Sequence, residues 1–187
     1  MGTIDEALSK MKPAFRTCEF ISELHGKAAY ANTVLYRLKK AGKIMQVKRG
    51  WLAKAGTTPL EIACQISYPC YVSFHSALHV HGLTTQIPKV VQLAVCRKAR
   101  KYEFPGGKTR EYRLKRHLFT GFEVKQGIPI AAPEKAFADC LRLPRACPLA
   151  VLAEALENVD IWKVKKMCNK RMQKRLKEVE NANPRIA

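Results

Sequence analysis

Apolar residues recur along the first third of the chain at helical spacing, and in short β-prone runs thereafter. Ile4 to Met11 predicts a short helix. Cys18 to Leu24 predicts a second, with Thr17 as its N-cap and Gly26 as its stop. Tyr30 to Lys40 carries Ala31, Val34, Leu35 and Leu38 on one stripe and ends at Gly42. Two helices around a tight turn holding Gly26 predict a helix-turn-helix. Ile44-Met45-Gln46-Val47 and Trp51-Leu52-Ala53 flank the basic turn Lys48-Arg49-Gly50, which predicts a hairpin of the kind called a wing.

The run Ala55-Gly56-Thr57-Thr58-Pro59 interrupts this pattern and is the expected linker, dividing the chain into residues 1–56 and 57–187. Beyond it helix and strand patterns alternate. Leu60 to Ile66 reads as a helix capped by Thr58, and Ser73 caps a helix that runs through His81 to Gly82. Val90 to Val95 is a continuous apolar run, hence a buried strand, while Tyr112 to Leu114 and Gly121 to Val124 are shorter strands. Ile128-Pro129-Ile130 leads into a helix opened by Pro133. Leu149 to Val159 and Trp162 to Asn181 complete the pattern as helices, the last strongly basic. The expected fold class is α+β: an N-terminal winged helix-turn-helix followed by a mixed α/β domain with a small sheet and a basic helical C-terminal tail.

Charge narrows the class of partner. The chain's 187 residues hold 34 Lys and Arg against 15 Asp and Glu, a formal +19. Such a surplus repels itself in a compact molecule and points to a polyanion, nucleic acid first. Residues 1–56 carry net +7, residues 57–160 net +5 and residues 161–187 net +7. No run is long enough to span a membrane, and the start MGTIDEALSK is neither a secretory signal nor a myristoylation site. Seven cysteines without a C-x-x-C pair read as reduced, mostly buried thiols, so the expected compartment is the cytoplasm.

With Ala31, Val34, Leu35 and Leu38 facing a core, the opposite side of that helix displays Ala29, Thr33, Tyr36 and Lys40, flanked by Tyr30, Asn32 and Arg37. Asn and Arg can make bidentate contacts to purine edges, Thr and Ala methyls pack on thymine, and Tyr and Lys reach phosphate. Lys27 before the helix, and Lys48 and Arg49 at the hairpin tip, complete the expected duplex-DNA contact set.

Other chemistry is weakly supported. His75 and His79 share a helix face with His81 nearby, but no third ligand spacing accompanies them, so no metal is expected. Glu123-Val124-Lys125 resembles the acid-x-Lys tip of metal-dependent nucleases without the second carboxylate such a site needs. Cys140 lacks an activating neighbour, and no glycine loop cradles a phosphate. The segment from Arg97 to Arg116, with nine basic and two acidic residues, reads as a mobile basic loop. Neither catalysis nor a cofactor is expected.

The stretches Tyr71-Val72-Ser73-Phe74-His75-Ser76-Ala77-Leu78-His79-Val80-His81-Gly82-Leu83-Thr84, Gln86-Ile87-Pro88 and Ile130-Ala131-Ala132-Pro133-Glu134-Lys135-Ala136-Phe137-Ala138-Asp139 resemble the AbiEi family of type IV toxin–antitoxin antitoxins. Upstream, Leu35 to Ile44 and Lys48 to Leu52 look like that family's recognition helix and wing. The likeness spans roughly residues 15 to 145; the tail from Leu149 onward matches no motif of the family. It implies an antitoxin that represses its own promoter, as a monomer or weak dimer on an inverted repeat, and opposes a nucleotidyltransferase-like toxin. A DNA binder without sequence preference or toxin partner is the alternative expectation.

Overall fold

Three helices and a three-stranded sheet close on one apolar cluster in the N-terminal part of the chain. The computed structural model describes residues 2–183; Met1 and the last four positions of the basic tail, Arg185 among them, lie outside the described residues. Helix α1 (Gly2–Lys10) is followed by strand β1 (Ala14–Arg16), α2 (Thr17–Glu23) and α3 (Ala28–Lys40). Strands β2 (Ile44–Lys48) and β3 (Trp51–Lys54) form a hairpin, and β3 also pairs antiparallel with β1, giving the order β1-β3-β2. Ala31, Val34, Leu35 and Leu38 of α3 meet Phe15, Phe20, Leu24, Ile44 and Leu52 in this core. Each fully buried Leu or Phe there contributes about 1.5–3 kcal/mol.

The turns follow from backbone chemistry. Gly26 (φ 74°) donates its N–H to Ile21 O at 3.0 Å, and Lys43 N–H reaches Leu38 O at 3.0 Å behind Gly42 (φ 68°), so α3 ends in a left-handed glycine stop and α2 in two successive left-handed residues, His25 (φ 56°) and Gly26. The cap of α2 differs from the expectation. Thr17 is the helix's first residue, its N–H bonded to Gly50 O; the cap position is Arg16, whose N–H donates to Glu19 Oε2 at 2.9 Å. Strand pairing of β1 with β3 fixes Arg16 one residue ahead of the turn that the sequence assigned to Thr17.

The compact units are Met1–Tyr68 with Glu103–Gly107, and Pro69–Tyr102 with Lys108–Ala187. The division at Tyr68, rather than at residue 56, puts α4 (Pro59–Ser67) in the first unit, where it packs on β1. Ala55 to Pro59 is therefore a turn inside that unit. Thr58 caps α4 as its sequence predicts, accepting from Glu61 N–H at 3.3 Å while Glu61 Oε2 accepts from Thr58 N–H at 2.8 Å.

The second unit has a larger sheet than the short apolar runs suggest. Its elements, except that Glu103, Phe104 and Gly107 count in the first unit, are β4 (Tyr71–Val72), α5 (Phe74–Val80), β5 (Val91–Val95), β6 (Lys101–Phe104), β7 (Gly107–Arg113), β8 (Phe122–Lys125), β9 (Ile128–Ala131), α6 (Pro133–Arg142), α7 (Leu149–Leu156), α8 (Ile161–Met167) and α9 (Lys170–Ala182). The strands lie in the order β6-β7-β5-β4-β9-β8, mixed in direction: β4–β9 and β5–β7 are parallel, β4–β5 and β8–β9 antiparallel. Two further expectations change. The basic segment 97–116 is mostly strand, not loop, because Tyr102 and Phe104 alternate with Lys101 and Glu103 beside β7. The terminal helix is broken at Cys168-Asn169, where Asn169 Oδ1 accepts from Met172 N–H at 3.0 Å and starts α9 afresh. Met172, Leu176 and Val179 of α9 are buried, and the helix packs on α6 and α7 as part of the unit. The whole is a mixed α+β protein, and no helix among the described residues is long and apolar enough to cross a membrane.

Candidate nucleic-acid interface

The thirteen residues of α3 form a rod about 20 Å long at 1.5 Å per residue. Its buried stripe is the expected Ala31, Val34, Leu35 and Leu38. Ala29, Tyr30, Asn32, Thr33, Tyr36, Arg37 and Lys40, with Lys27 ahead of the helix, are all exposed. Tyr36 is 67% exposed and Tyr30 48%, unusual solvation for two aromatic rings on one short helix. Neither Arg37 nor Lys40 has an ion-pair partner among the described residues, whereas Lys39 is tied back to Gln46 Oε1 at 2.8 Å on β2. The Thr33 hydroxyl donates to Ala29 O at 3.1 Å, which leaves its methyl and its oxygen lone pair outward.

The acidic side chains nearby have partners of their own, although Glu6 and Glu23 line a depression that they share with Lys27 and Tyr30. Glu23 pairs with Lys10 at 2.7 Å, Asp5 with Lys43 at 3.0 Å, and Glu19 caps α2. The first turn of α3 contains no acidic residue and no side chain caps it. The N–H end of α3 thus keeps its positive potential without a side-chain cap.

The β2–β3 turn carries Lys48, Arg49 and Gly50, the glycine at φ 76°. A register irregularity between Gln46 and Lys48 sets Lys48 opposite Trp51, and Arg16 on β1 stands opposite the same Trp51. The indole therefore lies under two cations, with Arg16 Cζ 5.4 Å and Lys48 Nζ 5.6 Å from its ring. Arg16 was not among the sequence-derived contacts. A three-residue strand leaves little periodicity to read, and only the pairing with β3 brings it to the hairpin.

The signature residues of the second unit converge elsewhere and buried. Asp139 (fully buried) accepts from Lys135 Nζ at 2.5 Å, Tyr71 Oη at 2.9 Å and Ser73 Oγ at 2.9 Å. Ser73 occupies the N-cap position of α5 but makes no side-chain capping bond; its hydroxyl points instead to Asp139, to which it donates. The chain enters α5 through Phe74, a buried residue at φ 57°, held by Gln92 Oε1 accepting from His75 N–H at 2.9 Å. Burial, and then the Asp139 carboxylate, push the Tyr71 phenol far above its ordinary range. Lys135 also lies 5.6 Å over the Tyr71 ring, and Phe122 stacks on that ring at 4.8 Å. This is a closed, satisfied network that ties β4, α5 and α6 together.

Of the three histidines, two have backbone partners, whereas the Nδ1 atom of His79 is buried without a hydrogen bond. His75 Nε2 meets Gln86 O at 2.8 Å and His81 Nε2 meets Ala131 O at 2.7 Å; desolvation holds His75 below its usual pKa. Glu123 is exposed on β8 opposite Ile130. Among the described residues no three His, Cys, Asp or Glu side chains converge as metal ligands. The seven cysteines are free; Cys18 is exposed, contrary to a buried reading, because it falls on the outer side of α2, while Cys64, Cys70, Cys140 and Cys147 are buried.

No protein-family model matches the chain, and no curated protein matches it. Among solved structures it is similar to the crystal structure of the Rv2827c protein from Mycobacterium tuberculosis, with a TM-score of 0.66 at 11% identity. That match covers 97% of this chain and 75% of the other, and it is a likeness of fold.

Proposed function

We propose that the protein is a cytoplasmic, non-catalytic transcriptional regulator that binds duplex DNA through a winged helix-turn-helix. In this reading α2 and α3 are the helix-turn-helix, α3 enters the major groove and the β2–β3 hairpin is the wing. The observation that carries it is the exposed face of α3. Tyr30, Asn32, Thr33, Tyr36, Arg37 and Lys40 stand together in solvent, opposite a fully buried stripe. That combination supplies base-edge donors and acceptors beside phosphate-reaching groups, which a merely solvated helix does not require. Arg49 at the wing tip, and Lys48 with Arg16 around Trp51, add phosphate contacts.

The resemblance of the signature stretches to AbiEi antitoxins extends the proposal to autorepression of an operon that also encodes a nucleotidyltransferase-like toxin. Fluorescence anisotropy on the full chain tests the DNA reading, using a duplex from upstream of its own gene and a scrambled duplex of equal length. The upstream duplex should bind at least 10³-fold tighter at physiological salt, in the range of specific regulators. Arg37→Ala should weaken that complex by about 1–3 kcal/mol while leaving scrambled-duplex affinity nearly unchanged. Equal affinity for both duplexes would favour the alternative, a binder without sequence preference. Unchanged binding in an Arg37→Ala/Arg49→Ala double variant would reject this face altogether.

A further inference from the structure

The second unit carries a groove of about 310 Å³ lined by Lys101, Arg110, Arg113, Arg145, Tyr112 and Leu143, with Ala99 and Glu111 completing it. Its charge is one-sided. Glu111 is neutralised within the fold: its side chain is 1% exposed, Arg97 donates to its two oxygens at 2.6 and 2.7 Å, and Arg100 N–H adds a third bond at 2.9 Å. Among the described residues none of the four lining cations has a carboxylate within ion-pair distance. Uncompensated cations around one concavity repel one another, and a bound anion relieves that repulsion.

Strand geometry says which cations converge. Successive β7 residues face opposite sides of the sheet, so Arg110 shares the side of Tyr112, while Arg113 shares that of Glu111. The Arg110 guanidinium lies 5.3 Å over the Tyr112 ring. Arg145, from a segment far away in sequence, lines the groove together with Arg110 and Tyr112. Lys101 on the neighbouring strand β6 closes the third side. Planar guanidinium forks held against an aromatic floor suit a tetrahedral oxyanion with several acceptor oxygens, and the volume accommodates a group of nucleotide size.

We propose that Lys101, Arg110 and Arg145 form a phosphate-binding groove on the second unit, separate from the α3 face. The ligand chemistry is a cluster of phosphate oxyanions, which a free nucleoside polyphosphate and a nucleic-acid backbone both offer. The groove stands on its own residues, so it survives or fails independently of DNA recognition by α3.

Isothermal titration of the full chain with inorganic triphosphate at low salt tests it. Wild type and Arg37→Gln/Lys40→Gln, which alters only the α3 face, should bind triphosphate equally. Arg110→Gln/Arg145→Gln should lose at least 10-fold in affinity. These side chains lie outside any ion pair, so the double variant should fold, and relief of repulsion should leave its ligand-free Tm unchanged or higher. Triphosphate affinity unchanged by Arg110→Gln/Arg145→Gln, or lost equally in the α3-face variant, would overturn the proposal. A duplex arm distinguishes the two sources, both consistent with the groove. If backbone is the ligand, Arg110→Gln/Arg145→Gln lowers the salt slope of duplex binding by about 1–2. If a free polyphosphate is, the slope is unchanged.

Discussion

Replacing Asp139 by alanine should destabilise the second unit by about 4 kcal/mol, although the ion pair it breaks contributes far less than that when intact. The Lys135 and Asp139 side chains are 9% and 0% exposed with their charges 2.5 Å apart. At an effective dielectric of about 20 their attraction is about 7 kcal/mol, and desolvating the two ions cancels most of it at several kcal/mol each. The intact pair is thus close to break-even. Deleting one partner is different: the ammonium of Lys135 stays buried without a counter-charge, and the Tyr71 and Ser73 hydroxyls lose their acceptor. Breaking a buried pair in this way typically costs about 3–5 kcal/mol.

The reasoning is checked by a cycle of Asp139→Ala, Lys135→Met and the double variant, followed by urea unfolding with the slope m monitored alongside the midpoint. Lys135→Met should cost about 2–3 kcal/mol, since two hydroxyl donors still serve the carboxylate. The double variant should cost no more than Asp139→Ala alone, giving a coupling energy of about 2 kcal/mol. Hydrogen exchange by mass spectrometry should show lost protection in peptides of β4, α5 and α6 but not of α2 and α3. Additive single effects, or an Asp139→Ala loss below about 1 kcal/mol, would show that the carboxylate does not organise this part of the fold.

Tyr71 titrates far above its ordinary pKa, so the folded state holds its proton at pH values where the unfolded chain, near 10, has released it. The stabilisation this provides is fully present below pH 10 and is lost as pH rises above it, by up to about 1.4 kcal/mol per unit. Tyr71→Phe should lower stability by about 1 kcal/mol at pH 7 but flatten the alkaline slope, measured by urea midpoints from pH 9 to 11. Asn169→Ala removes the acceptor that starts α9 and should cost about 1 kcal/mol, with Asn169→Gly costing only a few tenths. Losses near zero in both Asn169 variants would mean that the side-chain bond does not matter.

What could be read from the sequence is what depends on neighbours in sequence. The period of Ala31, Val34, Leu35 and Leu38 determines both the buried stripe of α3 and, by exclusion, its exposed face, so the candidate DNA-contact residues were legible as a set. Gly26, Gly42 and Gly50 announced their turns because each takes a positive φ that other residues adopt with strain. Strand β1 gave too short a signal, and Arg16 joins the hairpin only because β3, some 35 residues later, pairs with it. Ser73 shows a local preference overruled at a distance. Its sequence setting favours capping α5, yet its hydroxyl binds a carboxylate 66 residues away, because a buried charge without hydrogen bonds would be the larger penalty. The break at Asn169 was readable, since asparagine is a good N-cap, but the strong helical pattern on both sides masked it. The groove of the second unit was beyond a sequence reading for the same reason as the Asp139 network. Lys101, Arg110 and Arg145 come from three segments, and nothing in the charge count told a cation that converges with others from one that is merely solvated. For this chain, then, net charge counts the cations, whereas only tertiary structure tells which of them share a surface.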